Sequence, residues 1–389
     1  MKILLISHIF PPAIDGGSKV IYKLGQYLES QKHNCLYLSS DCSSTDDFVK
    51  SKFSKSKELN SSQIKLPTYH HLRKPLKLIN LFLNKDLLRI LQKGPIFKLF
   101  PFIKTLFKIV KFKPDLIIAG PLPTTIVLYA NFFKKITKSK LLINSSFHPS
   151  DNDFQQTPLI NSLKKADYLW TLTDSESQYF IKNFKINPNK LILAGNGVDI
   201  DILKKDVNKT INKNILFIGS IASHKRVDLL IKSFSDLASS QTSLTIAGQK
   251  TLFYPEIEKL MKNIDPKIKS KIKFVFNFPQ NKLIKLIDKC DMLVLPSIQE
   301  SFGLVVIESW ARQKPVICSN IPALKELVEK SKGGLTFKLD DKKDLSEKIL
   351  YILNNPKKAQ EMGHNGYKYV TNNYTWNKVG EKICEKISF

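Results

Sequence analysis

Short, almost wholly apolar segments alternate with amphipathic ones through the second half of this chain, and that alternation narrows the fold more than any other feature. Strands are predicted at Asn214–Ser220, Leu244–Gly248, Ile272–Phe278, Met292–Pro296 and Pro315–Ser319. Helices are predicted between and after them at Val227–Ala238, Tyr254–Asn263, Lys282–Cys290, Gly303–Gln313, Ala323–Lys330 and Asp344–Asn354. Strands that are apolar on both faces need cover on both sides, and helical crossovers between them make the sheet parallel. The fold class expected is therefore α/β, a doubly wound Rossmann-like domain. The first half opens in the same way, with strands at Lys2–Ile9, Cys35–Ser39, Asp115–Ala119, Leu141–Asn144 and Tyr168–Leu172 and a helix at Gly17–Ser30. Two similar domains in series suit a chain of 389 residues, which exceeds one ordinary core. Their junction is placed near Lys190–Lys205, giving domains at 1–195 and 196–369. Asn365–Phe389 reads as helical with no strand left to pair, so the helix at about 370–389 is expected to pack back on the first domain.

Composition excludes several classes. With 42% hydrophobic and 24% charged residues the chain is neither disordered nor membrane-spanning, and it has no uncharged apolar run of 18 residues. Met1–Phe10 superficially resembles a secretory leader. Pro11, Pro12 and Gly16-Gly17 follow without a small-residue cleavage site, so it is read as a first buried strand and the chain as cytoplasmic. The five cysteines (Cys35, Cys42, Cys290, Cys318, Cys384) are scattered, which implies neither a disulfide framework nor a zinc site.

The net charge is +27, and both halves share it: residues 1–195 carry 29 Lys/Arg against 13 Asp/Glu (+16), the remainder 32 against 21 (+11). Only four of the 61 cationic residues are Arg. Nucleic-acid recognition favours Arg forks, so no nucleic-acid partner is expected. The basic residues concentrate in His70–Lys113, where eleven Lys/Arg face one acid, Asp86, and are interleaved with Leu, Ile and Phe. Such a segment suits an anionic membrane surface. The plainer alternative is a pair of core-packed helices with solvated Lys faces.

The most specific chemistry-bearing stretch is Glu300-Ser-Phe-Gly-Leu-Val-Val-Ile-Glu308, which follows a strand and opens a helix. Two carboxylates eight positions apart straddle the helix start. Ser301 is predicted to cap it, Gly303 to let a ligand approach, and the amides of Phe302, Gly303 and Leu304 to meet an anion such as a diphosphate. Carboxylates accept paired hydroxyls, so Glu300 and Glu308 suit a polyol.

With these residues in view, the chain resembles glycosyltransferase family 4, whose hallmark is a Glu-x7-Glu motif in this setting. Asp15-Gly16-Gly17 resembles that family's glycine-rich loop near the donor phosphate and sugar. His148 follows a strand where the family places a histidine near the donor sugar. Asn196-Gly-Val-Asp199, Ala247-Gly248 and Leu295-Pro-Ser297 match further stretches, and Gly219 and Lys225 match the glycine and lysine of its GR-x4-K pattern. Ser220 stands where that pattern has Arg, with Arg226 or His224 as possible substitutes. The resemblance implies a GT-B fold with the two domains facing across a cleft, a first domain for the acceptor and a second for the donor. It implies retaining transfer of a sugar from a nucleotide-sugar, with UDP the commonest carrier, to a glycan or lipid-linked acceptor. The basic, apolar segment His70–Lys113 leans toward a lipid-linked glycan at the inner face of a membrane, as in cell-surface polysaccharide or lipopolysaccharide synthesis.

In that reading Glu300 holds the transferred sugar, Glu308 the ribose and Lys225 the diphosphate. His148, Gly16 and Gly17 serve the donor from the first domain. No DxD-like metal motif sits in a suitable strand-loop context, so neither metal nor other cofactor is expected. Rival readings are an epimerase or a phosphorylase on the same fold, the latter needing a pyridoxal-phosphate lysine, or a basic anionic-surface binder with a disabled site. Trp376 is expected to anchor the last helix.

Overall fold

The structure, a computed structural model, describes residues 1–12, 15–43, 62–69, 85–203, 213–237, 242–278 and 280–387. It divides into two compact units, Met1–Asn196 with Val379–Phe389, and Gly197–Lys378.

In the first unit the elements run β1 (Lys2–Ile6), α1 (Gly16–Ser30), β2 (Asn34–Ser40), β3 (Gln63–Leu66), α2 (Lys85–Lys93), α3 (Leu99–Phe112), β4 (Leu116–Ala119), α4 (Ile126–Thr137), β5 (Lys140–Asn144), α5 (Thr157–Lys165), β6 (Tyr168–Thr171), α6 (Asp174–Phe184) and β7 (Leu191–Leu193). The seven strands form one sheet in the order β3-β2-β1-β4-β5-β6-β7. Every pairing is parallel, as in Ile3 against Cys35 and Leu116. One face of the sheet is covered by helices: Leu4, Ile6, Ile117 and Ile143 join Val127, Phe133, Leu159 and Phe180 in one core. A buried CH₂ is worth about 0.8 kcal/mol, so this shared core is what holds sheet and helices together.

The second unit continues with β8 (Asn214–Ile218), α7 (Val227–Leu237), β9 (Ser243–Gly248), α8 (Tyr254–Lys262), β10 (Ile272–Phe276), α9 (Gln280–Asp288), β11 (Met292–Leu295), α10 (Leu304–Ala311), β12 (Val316–Ser319), α11 (Pro322–Ser331), β13 (Gly334–Phe337), α12 (Lys342–Asn354) and α13 (Pro356–Asn373). Its six strands order as β10-β9-β8-β11-β12-β13, again all parallel. In each sheet the strand order reverses beside the unit's first strand, between β1 and β4 and between β8 and β11. Crevices outside the carboxyl ends of strands at such reversals are where open α/β sheets bind ligands.

Three expectations need correction. The strand read at Lys2–Ile9 ends at Ile6, and His8 and Asp15 lie in the turn that follows. The continuous helix read over Asn365–Phe389 is two, α13 and α14 (Trp376–Ile387). The break falls where the Tyr374 carbonyl accepts from Val198 N at 2.8 Å and Thr375 bridges to Val198, so backbone groups that would continue a helix are engaged elsewhere. Trp376, only 8% exposed, closes this break against Gly197, where a Cβ would lie 2.6 Å from its ring. The third concerns the start of α10 and is described with the site.

Candidate functional site

The reversal point of the second sheet carries most of the residues singled out in the sequence. After β8 the chain turns through Gly219 and Ser220 into a short 3-10 turn, Ser223–Lys225. Gly219 N donates to Ala247 O at 2.9 Å, and its carbonyl occupies the space that a Cβ on Gly248 would need, 1.7 Å away. The turn is fastened to the loop after β11 by Ile298 N donating to His224 O at 2.8 Å.

That fastening brings Lys225 onto Glu300, and Lys225 Nζ donates to Glu300 Oε1. The two side chains are only 17% and 14% exposed, so the pair is partly desolvated. Ser297 Oγ donates to the same Glu300 oxygen at 3.1 Å, and Ser319 Oγ holds Ser297 in turn through its carbonyl. Two side chains 75 positions apart thus form one unit, which neither motif foretold separately.

Arg226 does not take up the place of the missing arginine. Its guanidinium is engaged by Asp340 and, at 3.3 Å, by Asp228. His224 serves the turn through its backbone carbonyl. Lys225 is thus a cation at the reversal point already seated on a carboxylate.

The start of α10 also differs from expectation. Ser301 does not cap it. Gly303 is the N-cap, at φ +93°, and no side chain caps the helix. An L-side chain is strained in that backbone region, and a Cβ there would come within 2.8 Å of Leu324. The first amides of a helix have no intrahelical acceptor, so the amides of Leu304 and Val305 begin a positively polarised end. Phe302 is buried, its ring edge-on to Tyr374 at 5.2 Å, so its contribution to a ligand reduces to its backbone. Glu308, 7% exposed, lies one turn into the helix.

In the first unit the glycine-rich turn is built around a pair that sequence reading missed. His8 Nε2 and Asp15 Oδ2 are 2.6 Å apart, and Asp15 caps α1 by accepting from Ser18 N at 2.8 Å and Ser18 Oγ at 2.7 Å. Burial opposes the charge on Asp15, yet His8 and the two Ser18 donors outweigh it and hold the carboxyl well below the usual range. Ser18 sits three positions after Asp15, a spacing that signals a capping box and could have exposed the arrangement. Gly17 must be small, since a Cβ would lie 2.5 Å from Pro121. Gly16 faces open space, and among the described residues nothing would meet a Cβ there.

His148 is half-buried in the loop after β5, its ring edge-on to Phe154 at 5.0 Å. The loop is pinned by Glu176, which accepts from Ser145 Oγ and Phe147 N at 2.8 Å and from Leu172 N at 2.6 Å. Glu176 is 5% exposed, a buried carboxylate one residue away from setting His148 itself. Its role was invisible in sequence because its partners come from two loops. Among the described residues no group of three or more His, Cys, Asp or Glu is placed to hold a metal ion.

Residues 198–369 match the family of glycosyl transferases group 1. An uncharacterized glycosyltransferase of Methanocaldococcus jannaschii is 28% identical over 250 residues, 59% of this chain and 69% of its own length. The O-antigen chain mannosyltransferase RfbU of Salmonella typhimurium is 27% identical over 192 residues, 49% of this chain and 52% of its own. The capsular polysaccharide biosynthesis glycosyltransferase CapM of Staphylococcus aureus is 26% identical over 232 residues, 54% of this chain and 59% of its own. The matched stretches thus span between about half and about two thirds of these relatives.

Among solved structures, HepE of Anabaena in complex with UDP aligns with a TM-score of 0.75 at 15% identity, covering 100% of both chains. Sucrose-phosphate synthase of Thermosynechococcus elongatus aligns at 0.76 with 18% identity, over 100% of this chain and 98% of its own. At these identities the likeness is one of fold: two parallel-sheet α/β domains of the GT-B kind. The sequence relatives are likewise glycosyltransferases, several of them in polysaccharide, O-antigen and capsule synthesis.

Proposed function

We propose that the chain is a retaining glycosyltransferase that moves a hexose from a UDP-linked sugar to a glycan or lipid-linked acceptor in cell-surface polysaccharide or lipopolysaccharide synthesis. The observation that carries the reading is the Lys225–Glu300 pair at the reversal point of the sheet, inside the stretch that matches the group 1 family. A nucleotide-sugar offers a dianionic diphosphate flanked by two polyols, and the residues at this point have complementary chemistry. Lys225 and the first amides of α10 are assigned to the diphosphate, where they stabilise the charge that grows as it leaves. Glu300 is assigned to hydroxyls of the transferred sugar and Glu308 to the ribose. His148, with the Gly16–Gly17 turn, is given a role toward the transferred sugar. The acceptor is assigned to the first unit and the donor to the second.

In the proposed step the bond from the anomeric carbon to the diphosphate oxygen breaks. The bond to the acceptor oxygen forms on the same face, and the acceptor's proton passes to the departing diphosphate. No side chain becomes covalently attached. Lys225 and the amides supply the positive charge in this account, so no metal is invoked. The site of action proposed is the inner face of the cytoplasmic membrane, with the protein held peripherally at an anionic surface through the basic segment 70–113.

The test is incubation with a panel of UDP- and GDP-sugars and a lipid-linked or short glycan acceptor, with the product's anomeric configuration read by NMR. Transfer with retention from a UDP-sugar is the expected outcome. An inverted product, or hydrolysis without transfer for every donor, would overturn it.

A further inference from the structure

The apolar arc of α3 is about 180° wide, broader than the single core-facing stripe of an ordinary surface helix. Phe102, Leu106 and Ile109 face the first unit's core. On another side Leu99, Phe100, Ile103, Phe107 and Val110 are 65%, 80%, 41%, 70% and 41% exposed. At about 100° per residue these five fall within an arc of about 100°, and Lys104, Lys108 and Lys111 form the adjoining row. The neighbouring α4 adds Phe132 and Ile136, 43% and 41% exposed, with Lys135 beside them. Soluble proteins seldom leave so much contiguous apolar surface in water.

Next to this face a cavity of about 300 Å³ opens among α2, α3 and α4, lined by Leu91, Phe102, Thr125, Leu128, Tyr129 and Phe132. Its polar groups are already engaged: Thr125 Oγ1 donates to Pro95 O at 2.7 Å, and Tyr129 OH accepts from Phe97 N at 3.3 Å. The lining thus offers hydrocarbon contact. The surroundings select for negative charge. Residues 85–136 contain ten Lys/Arg and two acids, Asp86 and Asp115, and neither α3 nor α4 contains an Asp or Glu.

We propose that this α3–α4 face docks on an anionic lipid bilayer and that the cavity takes one hydrocarbon chain of a lipid drawn from it. Exposed phenylalanines that enter the acyl boundary, a lysine row that meets headgroup phosphates and an apolar slot beside them share one occupant, an anionic lipid. A water-soluble acidic partner would satisfy the lysines and leave Phe100 and Phe107 against a polar surface. Residues 70–84 of the basic segment lie outside the described residues, so the surface is assigned to Lys85–Ile136. The inference deepens the acceptor side of the proposed function and rests on that reading only for its purpose; the binding itself can be tested without any transfer.

The experiment uses the full chain. Co-sedimentation is measured with vesicles of phosphatidylcholine alone and with about one third phosphatidylglycerol, at low and high salt. Stabilisation of the protein by UDP is followed in parallel. The expected result is binding at least about tenfold tighter to the anionic vesicles, weakened by salt, and lost by at least about tenfold in Phe100→Ser/Phe107→Ser with the response to UDP unchanged. Dodecyl phosphate should bind the wild type with a stoichiometry of one and bind Leu128→Trp far more weakly. Phe132→Ser, at a half-exposed position, gives a second cavity variant should the first not fold. Equal binding to both vesicle types, no loss in the double variant, or no saturable dodecyl phosphate site would overturn the proposal. A missing UDP response with intact lipid binding would instead count against the transferase reading alone.

Discussion

At the residue scale the account turns on two side chains that hold each other. Lys225 and Glu300 are mostly shielded from water, so each depends on the other to stay charged at tolerable cost. Lys225→Ala should remove a charge aimed at the leaving diphosphate and lower kcat/KM for the donor by about 10²–10³. It should also cost about 1–3 kcal/mol of stability, because Glu300 keeps only the Ser297 hydroxyl among its described partners at that oxygen. Glu300→Gln should lower activity too. Because the two act as one unit, the double variant should fall well short of the summed losses, and steady-state kinetics on the four proteins measures that shortfall. Independent, additive losses would mean that the two side chains do not act as one unit. The cysteines sit at the opposite extreme. Burial pushes the Cys290 thiol up to about 12, which leaves little thiolate to react at neutral pH.

At the element scale, α1 owes its start to the Asp15–Ser18 box and to His8 beneath it. The Asp15 carboxyl is held below its ordinary value in the folded chain, so the carboxylate contributes stability that is fully present above the unfolded value of about 3.9. That contribution is lost as pH falls below about 4 toward the folded value. Urea midpoints of the wild type and Asp15→Asn should therefore differ most near pH 6–7 and converge below pH 4. A gap that stays constant with pH would show that Asp15 acts through packing alone.

The elements themselves were largely legible. Central strands such as Ile215–Ile218 and Met292–Leu295 are apolar on both faces, and their helices carry clear periodicity, so type and order could be read directly. β3, β7 and β13 were not, because three- and four-residue edge strands lack enough residues to establish a period. The start of α10 was misread because Ser301 has the chemistry of a cap, whereas Gly303 takes that place through its left-handed backbone. The Lys225–Glu300 and Glu176 contacts were illegible because each depends on loops that only the sheet order brings together, whereas the His8–Asp15 pair lies within one turn and the Asp15–Ser18 spacing hinted at it.

At the scale of the whole molecule, the architecture explains why few residues need to be special. Two parallel sheets place loops at their reversal points whatever the loops contain, and this chain puts Lys225, Glu300 and the helix start at Gly303, which no side chain caps, at the second of them. The net charge of +27 acts at the same scale, drawing anionic partners toward either unit without specifying one. Specificity has to come from the site. The most direct measurement is thermal unfolding of the wild type and Lys225→Ala in the presence of UDP, UDP-sugars, GDP and ADP. The account predicts that UDP compounds stabilise the wild type, by roughly 2.7 kcal/mol at a hundred times the dissociation constant, and that Lys225→Ala abolishes most of that gain. No stabilisation by any nucleotide, or a UDP response that survives unchanged without Lys225, would contradict it.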